Sequence, residues 1–81
     1  MSILEEPKRL IASIKKSGRE QFRIALKDYN GDAKVEIRVF ARHRDSDWEP
    51  TPRHIVIGRA YLLELVEGLL EASALLKSEA A

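Results

Sequence analysis

Apolar and polar positions alternate most regularly between residues 22 and 44. Phe22, Ile24 and Leu26 alternate with Arg23, Ala25, Lys27 and Tyr29. Beyond Asn30-Gly31, Val35, Ile37, Val39 and Ala41 alternate with Lys34, Glu36, Arg38, Phe40, Arg42 and Arg44. A period of two predicts two strands, each with one apolar side. The Asn-Gly step predicts a tight hairpin of type I′, whose central residues need positive φ. Pairing the strands sets Arg23, Lys27 and Tyr29 beside Arg38, Phe40 and Arg42, on a surface whose reverse is apolar. A merely solvated face has use for charge but none for large rings. A face that grips phosphates and stacks bases uses both.

The flanking segments complete a small sheet and one helix. Leu10 to Lys16 is ambiguous: Ile11 and Ile14 have helical spacing, whereas the short length and the Ser17-Gly18 stop suit a strand. A strand is preferred, because an isolated hairpin is unstable. Arg44 to Pro52 is predicted as a loop, with turn chemistry at Asp45-Ser46-Asp47 and backbone restriction at Pro50 and Pro52. His54 to Ile57 is predicted as a short strand ended by Gly58, the only candidate cap for a helix from Arg59 to about Lys77.

In that helix Leu62, Leu65, Leu69 and Leu76 form one apolar row, and Leu63, Val66 and Leu70 an adjacent one. Glu64, Glu67, Gly68 and Glu71 mark the wet side. The stripe is wider than one small sheet covers, which predicts a second subunit against Leu62, Leu65, Val66, Leu69 and Leu70. The alternative is a monomer whose own curved sheet covers the whole stripe. The predicted organisation is a flexible lead-in over 1–8, one α+β domain over 9–77, and a frayed tail over 78–81.

Composition narrows the function classes. Eighty-one residues leave no room for a cleft framed by separate lobes, and a core of this size is marginal without oligomerisation. A hydrophobic fraction of 44% with 33% charged residues is that of a folded chain. The absence of cysteine excludes disulfides and thiolate zinc sites and is compatible with the cytoplasm. No stretch has the length and apolarity of a membrane span, and the first residues lack the apolar core of a signal peptide.

The net charge of +1 conceals an asymmetry. Lys8 to Arg59 holds thirteen Lys and Arg against seven Asp and Glu, a net +6, and the remainder is net −5. The strand-rich part therefore calls for a polyanionic partner. His43 and His54 have no second pair of ligands to complete a metal site. There is neither a paired-carboxylate signature nor a Gly-rich phosphate loop. No catalytic residue, metal or cofactor is expected, and the chain is not expected to be an enzyme.

Several short matches extend this reading. Ile11-Ala12-x-Ile14-x-Lys16 is followed by Arg19-Glu20 and Phe22-x-Ile24-x-Leu26-x-Asp28-Tyr29-x-Gly31. Val35-Glu36-Ile37-Arg38-Val39-Phe40, Trp48-Glu49-Pro50-Thr51, and Ile55-x-Ile57 before the Leu-rich helix complete them. In order and spacing they resemble the single-stranded-DNA-binding domain of the transcriptional positive cofactor 4 family, in its compact bacterial form. The resemblance implies a helix-swapped homodimer of β4α units with a curved antiparallel sheet of four strands. It implies binding of single-stranded DNA along the outer sheet faces, with little sequence preference. It further implies a role in transcription regulation or in handling opened duplexes, at the nucleoid in the cytoplasm and away from membranes.

By position, the resemblance puts basic contacts on Arg19, Lys27, Arg38 and Arg53 and a stacking ring on Tyr29, with Phe40 at an aromatic position. Together with the strand pattern, the expected nucleic-acid face is Arg19, Arg23, Lys27, Tyr29, Arg38, Phe40, Arg42 and Arg53. Three positions depart from the family pattern. Ala41 stands where relatives carry Trp, Pro52-Arg53-His54 replaces a basic-basic-glycine run, and Gly58-Arg59 replaces a Pro-containing helix start. Alternatives left open are RNA on the same face, an adaptor for an acidic protein, and a subunit docked by its helix on a larger protein. Phe40 either stacks on bases or tucks under the following loop. Trp48 reads as an anchor of that loop.

Overall fold

A computed structural model describes residues 9–80, so the lead-in assigned to 1–8 lies outside the described residues. Four strands, β1 (Arg9–Lys15), β2 (Glu20–Tyr29), β3 (Asp32–Ala41) and β4 (Glu49–Ile57), precede one helix, α1 (Arg59–Ala80). The strands form one antiparallel sheet in the order β1-β2-β3-β4, which is the α+β architecture expected.

The β2–β3 hairpin is the tight turn that Asn30-Gly31 predicts. Both residues have positive φ, 57° and 85°, and the last strand pair is Tyr29 with Asp32. The Asp28 carboxylate accepts the Gly31 N–H at 2.6 Å, tying down the turn. At the other end of β2, the Ser17 hydroxyl accepts the N–H groups of Arg19 and Glu20 at 3.2 and 3.1 Å. That side chain closes the β1–β2 turn.

β1 explains its own ambiguity. Leu10 pairs with Ala25 and Ala12 with Ile24, which leaves Ile11 as an extra residue. The bulge separates Ile11 from Ile14 by three positions, a helical spacing inside a strand.

Two boundaries differ from the sequence expectation. β3 ends at Ala41, and Arg44 lies in a turn at φ 59°, so Arg44 leaves the strand face on which the alternation placed it. Ser46 makes this turn: its N–H and hydroxyl both donate to the His43 carbonyl, at 3.2 and 2.7 Å. β4 in turn starts at Glu49 and takes in both prolines, so the predicted loop is shorter and the predicted strand longer. Proline lacks a ladder donor but is tolerated on an edge strand, and β4 is one of the two sheet edges within this chain.

The pairing of β4 is irregular. Arg38 faces His54 while Phe40 faces Pro50, so Thr51, Pro52 and Arg53 stand opposite Val39 alone. Thr51 stitches the irregularity, its hydroxyl donating to the Val39 carbonyl at 2.7 Å.

The helix follows Gly58, whose carbonyl accepts the Tyr61 N–H at 3.1 Å. It runs to Ala80, three residues past the expected end near Lys77, so it includes most of the expected tail. Its contacts with the sheet are made chiefly to β3. Among the described residues the buried apolar side chains are Ala25, Val39 and Ile57. Leu62 is half-buried, whereas Leu65, Val66, Leu69 and Leu70 are exposed, Leu70 by 66%. On the sheet, Leu10, Ile14 and Ile55 are also about half exposed. The chain's own sheet thus leaves much of the stripe uncovered.

Candidate nucleic-acid interface

Paired residues on neighbouring strands share a face, so the register maps the surface row by row. Starting near the hairpin, Lys27 pairs with Lys34. The next row on this side is Ala25, Glu36 and Val56, followed by Ser13, Arg23, Arg38 and His54. Then come Lys15, Gln21, Phe40 and Pro50. One step past the end of β3, the Arg42 N–H donates to the Arg19 carbonyl at 3.0 Å and the Arg42 guanidinium lies 4.6 Å from the Trp48 ring centre. This last row is Arg19, Arg42 and Trp48. Tyr29, at the hairpin end of the same side of β2, has the Lys34 ammonium 6.0 Å from its ring centre.

The rows gather cations around one acid. Glu36 is only 4% exposed. Its two carboxylate oxygens are taken separately, by the Lys27 ammonium at 3.2 Å and by the Arg38 guanidinium at 2.8 Å. Burial pushes this carboxyl upward, but the hydrogen bonds from Arg38 and Lys27 outweigh it and hold the group below the usual glutamate value. A second arm of Arg38 donates to the Thr51 carbonyl at 2.5 Å, so β4 also orients this cation. Arg38 is thereby fixed from two sides, with its position set before any ligand arrives.

Phe40 is half-buried beside Pro50, and the Arg23 guanidinium lies over its ring at 4.2 Å. Arg23 is held there by donating to the Gln21 side-chain oxygen at 2.6 Å. Arg42 donates through Nε to the Gly18 carbonyl at 3.2 Å, joining the β1–β2 turn to the β3–β4 loop. Cation and ring are therefore stacked twice in succession along the sheet, at Phe40 and at Trp48.

Seven of the eight expected residues share this side: Arg19, Arg23, Lys27, Tyr29, Arg38, Phe40 and Arg42. Arg53 does not join them. Its neighbour His54 takes the place beside Arg38, and the Arg53 guanidinium pairs with Glu20. Glu20 is opposite Ala41, on the apolar side of the sheet, and it also holds Lys16 at 2.9 Å. Hydrogen bonds from Lys16 and then Arg53 hold the Glu20 carboxyl below its usual value. The displacement of Arg53 follows from the extra β4 residues opposite Val39, which periodicity alone does not reveal.

Lys15, Lys34, His54 and Trp48 complete the surface and were not among the expected contacts. Lys34 was already visible in the alternation, while the other three needed the register. No group of three or more acidic or histidine side chains is arranged to hold a metal ion among the described residues. Nor is any helix among them long and apolar enough to cross a membrane.

The fold and its surface define a β4α unit with an open sheet, one of whose faces is cationic and aromatic. No family model matches the chain, and no curated protein matches it. Solved structures do. A PC4 homologue from Burkholderia pseudomallei K96243 is 35% identical in both its tetragonal and orthorhombic crystals, with TM-scores of 0.74 and 0.76. These matches cover 80% and 89% of this chain and 96% of the homologue. The chain belongs to the PC4 family, that of transcriptional positive cofactor 4. The bacteriophage T5 homologue of the eukaryotic transcription coactivator PC4, a protein implicated in recombination-dependent DNA replication, shares the fold. It is 22% identical with a TM-score of 0.53, over 85% of this chain and 78% of its own.

Proposed function

We propose that this protein is a homodimeric binder of single-stranded DNA that acts in transcription regulation or in handling opened duplexes, at the nucleoid in the cytoplasm. The observation that carries the reading is the succession of rows from Lys27 to Arg42, in which cations flank exposed or half-exposed rings. Arg19, Arg23, Lys27, Arg38 and Arg42 neutralise phosphates and release counterions, while Tyr29 and Phe40 stack on unpaired bases. A closed duplex hides its base faces, so the rings give the preference for single strands. Family membership supports the same reading, because PC4 is named a transcription coactivator.

The homodimer rests on the helix. Leu65 and Val66 are partly and Leu69 and Leu70 mostly exposed, and three buried apolar residues among those described do not offset the entropy of ordering such a chain. A second copy brings an equal apolar helix and an equal half-covered sheet, so an exchange of helices between subunits covers both at once. The wet side of α1 is acidic and carries Glu64, Glu67 and Glu71, so this helix does not enter a DNA groove.

The test is fluorescence anisotropy of a labelled oligo-dT titrated with protein, beside the matching duplex and an oligo-U, at low and moderate salt. Tight, salt-sensitive binding that favours oligo-dT is expected. Arg38→Glu should reduce it by about 100-fold or more while leaving circular dichroism and dimer mass unchanged. Equal weak binding to single strand and duplex would leave only generic charge attraction and would overturn the stacking mechanism. A preference for oligo-U would assign the same face to RNA.

A further inference from the structure

We infer that Trp48, clamped by Arg42, is a second base-stacking platform at the rim of the sheet, one nucleotide beyond Phe40. The inference rests on the single-strand reading above and adds a site to it. Trp48 is half-buried, outside any strand, and one face of its ring is taken by the Arg42 guanidinium at 4.6 Å. Arg42 is itself immobilised twice against the β1–β2 turn, through its N–H to Arg19 and its Nε to Gly18. A ring needed only as an apolar anchor has no requirement for a cation held rigidly on its face. The same arrangement stands one step back along β3, where Arg23 covers Phe40 and is fixed by Gln21.

The spacing matches an extended strand. Phe40 on β3 and Arg42, one residue past its end, are two positions apart, about 6.6 to 6.8 Å of extended chain. That is about twice the ~3.4 Å rise per nucleotide of a stacked duplex strand. Bases drawn apart to this spacing no longer stack on each other and are free to stack on the protein. A duplex does not reach it without unstacking, so two platforms in series discriminate against duplex more strongly than one.

Beside the second platform lies an open groove of about 360 Å³ lined by residues that include Ala41, Arg42, His43, Glu49, Pro50 and Thr51. Arg42 is the cation of this groove and Asp47 and Glu49 are its acids, so the phosphate runs on the Arg19–Arg42 side with the base toward Trp48. Trp48 lies between two of the lining residues, Asp47 and Glu49, in the loop before β4.

Trp48 is the only tryptophan of the chain, so its emission reports this ring alone. The full-length protein is titrated with a dT 12-mer, and tryptophan emission and the anisotropy of a labelled copy are followed together. Emission should be quenched along the same isotherm as the anisotropy rise. Trp48→Phe, which keeps a π face, should hold affinity within about threefold. Trp48→Leu, bulky and apolar but without a π face, should weaken single-strand binding by about fivefold or more at unchanged circular dichroism. Strand binding with silent tryptophan emission, or wild-type affinity in Trp48→Leu, would overturn the inference and leave Trp48 as a loop anchor. Absence of any anisotropy change would overturn the single-strand reading itself, and this inference with it.

Discussion

The sheet face and the helix of this protein treat their side chains in opposite ways. On the face, each cation near the centre already has a partner within the chain: Lys27 and Arg38 share Glu36, Arg23 lies on Phe40, and Arg42 lies on Trp48. On α1, Leu65 and Val66 are only partly covered by their own chain, and Leu69 and Leu70 are more than half exposed. The contrast separates two kinds of surface. Internal pairing holds charged side chains at defined positions while leaving donors free for an anion. An uncovered apolar row has no such intermediate state, because water penalises every exposed methylene until another apolar surface arrives.

The largest effect should therefore come from the helix. Leu65→Asp combined with Leu69→Asp should destabilise the proposed dimer by more than about 5 kcal/mol, since carboxylates replace apolar side chains at the expected interface. Light scattering coupled to gel filtration and a thermal melt would check it. An unchanged mass and melt would remove the helix from the interface.

Glu36 sharpens the contrast from the other side. Glu36→Gln leaves Lys27 and Arg38 without a counter-charge in a nearly closed site. It should cost about 1–3 kcal/mol in chemical denaturation, yet strengthen single-strand binding several-fold and steepen its salt dependence. A variant as stable as wild type would mean that the buried carboxylate organises nothing. The pH dependence follows from the same group. Because its folded-state pKa is lowered, its contribution is fully present above the ordinary glutamate value, about 4.3. It is lost as pH falls through the lower folded value. The wild-type protein should lose stability in that acid window, and Glu36→Gln should show a flatter acid limb. Glu20 has the same sign but sits in exposed pairs and adds little.

A smaller change is expected at Tyr29, at the open end of the hairpin. Tyr29→Ala should weaken oligo-dT binding about fivefold, near the low end for a base–aromatic stack, with stability within about 0.5 kcal/mol of wild type. Equal binding by the variant would confine stacking to the opposite end of the sheet. Least of all should follow from Glu64→Gln on the wet side of α1, within about 0.5 kcal/mol in stability and without effect on the strand affinity. A larger shift there would reveal a partner on the acidic side.

Much of this was legible in the chain. The alternation from Phe22 to Ala41 determined both central strands, Asn30-Gly31 determined their turn, and together they brought Arg23 beside Arg38 and Lys27 beside Lys34. Local chemistry suffices there, because side-chain direction alternates residue by residue and a two-residue turn leaves one register. The width of the Leu stripe likewise marked α1 as too apolar for its own sheet. The helical spacing in β1 left a correctly read strand ambiguous because a bulge imitates it, and the prolines of β4 misled because only a sheet edge tolerates them.

The sequence by itself determined which residues are cationic or aromatic on two strands, and that the helix needs more apolar cover than this chain provides. Only the tertiary structure decided the contribution of β4 and of the loop before it. The extra residues of β4 opposite Val39 turn His54 toward Arg38 and send Arg53 to Glu20, and the turn after Ala41 brings Trp48 onto Arg42. The reason is one of range. Alternation and turn type are settled by neighbours along the chain, whereas the slip of one strand against another is settled by hydrogen bonds and packing between residues distant in sequence.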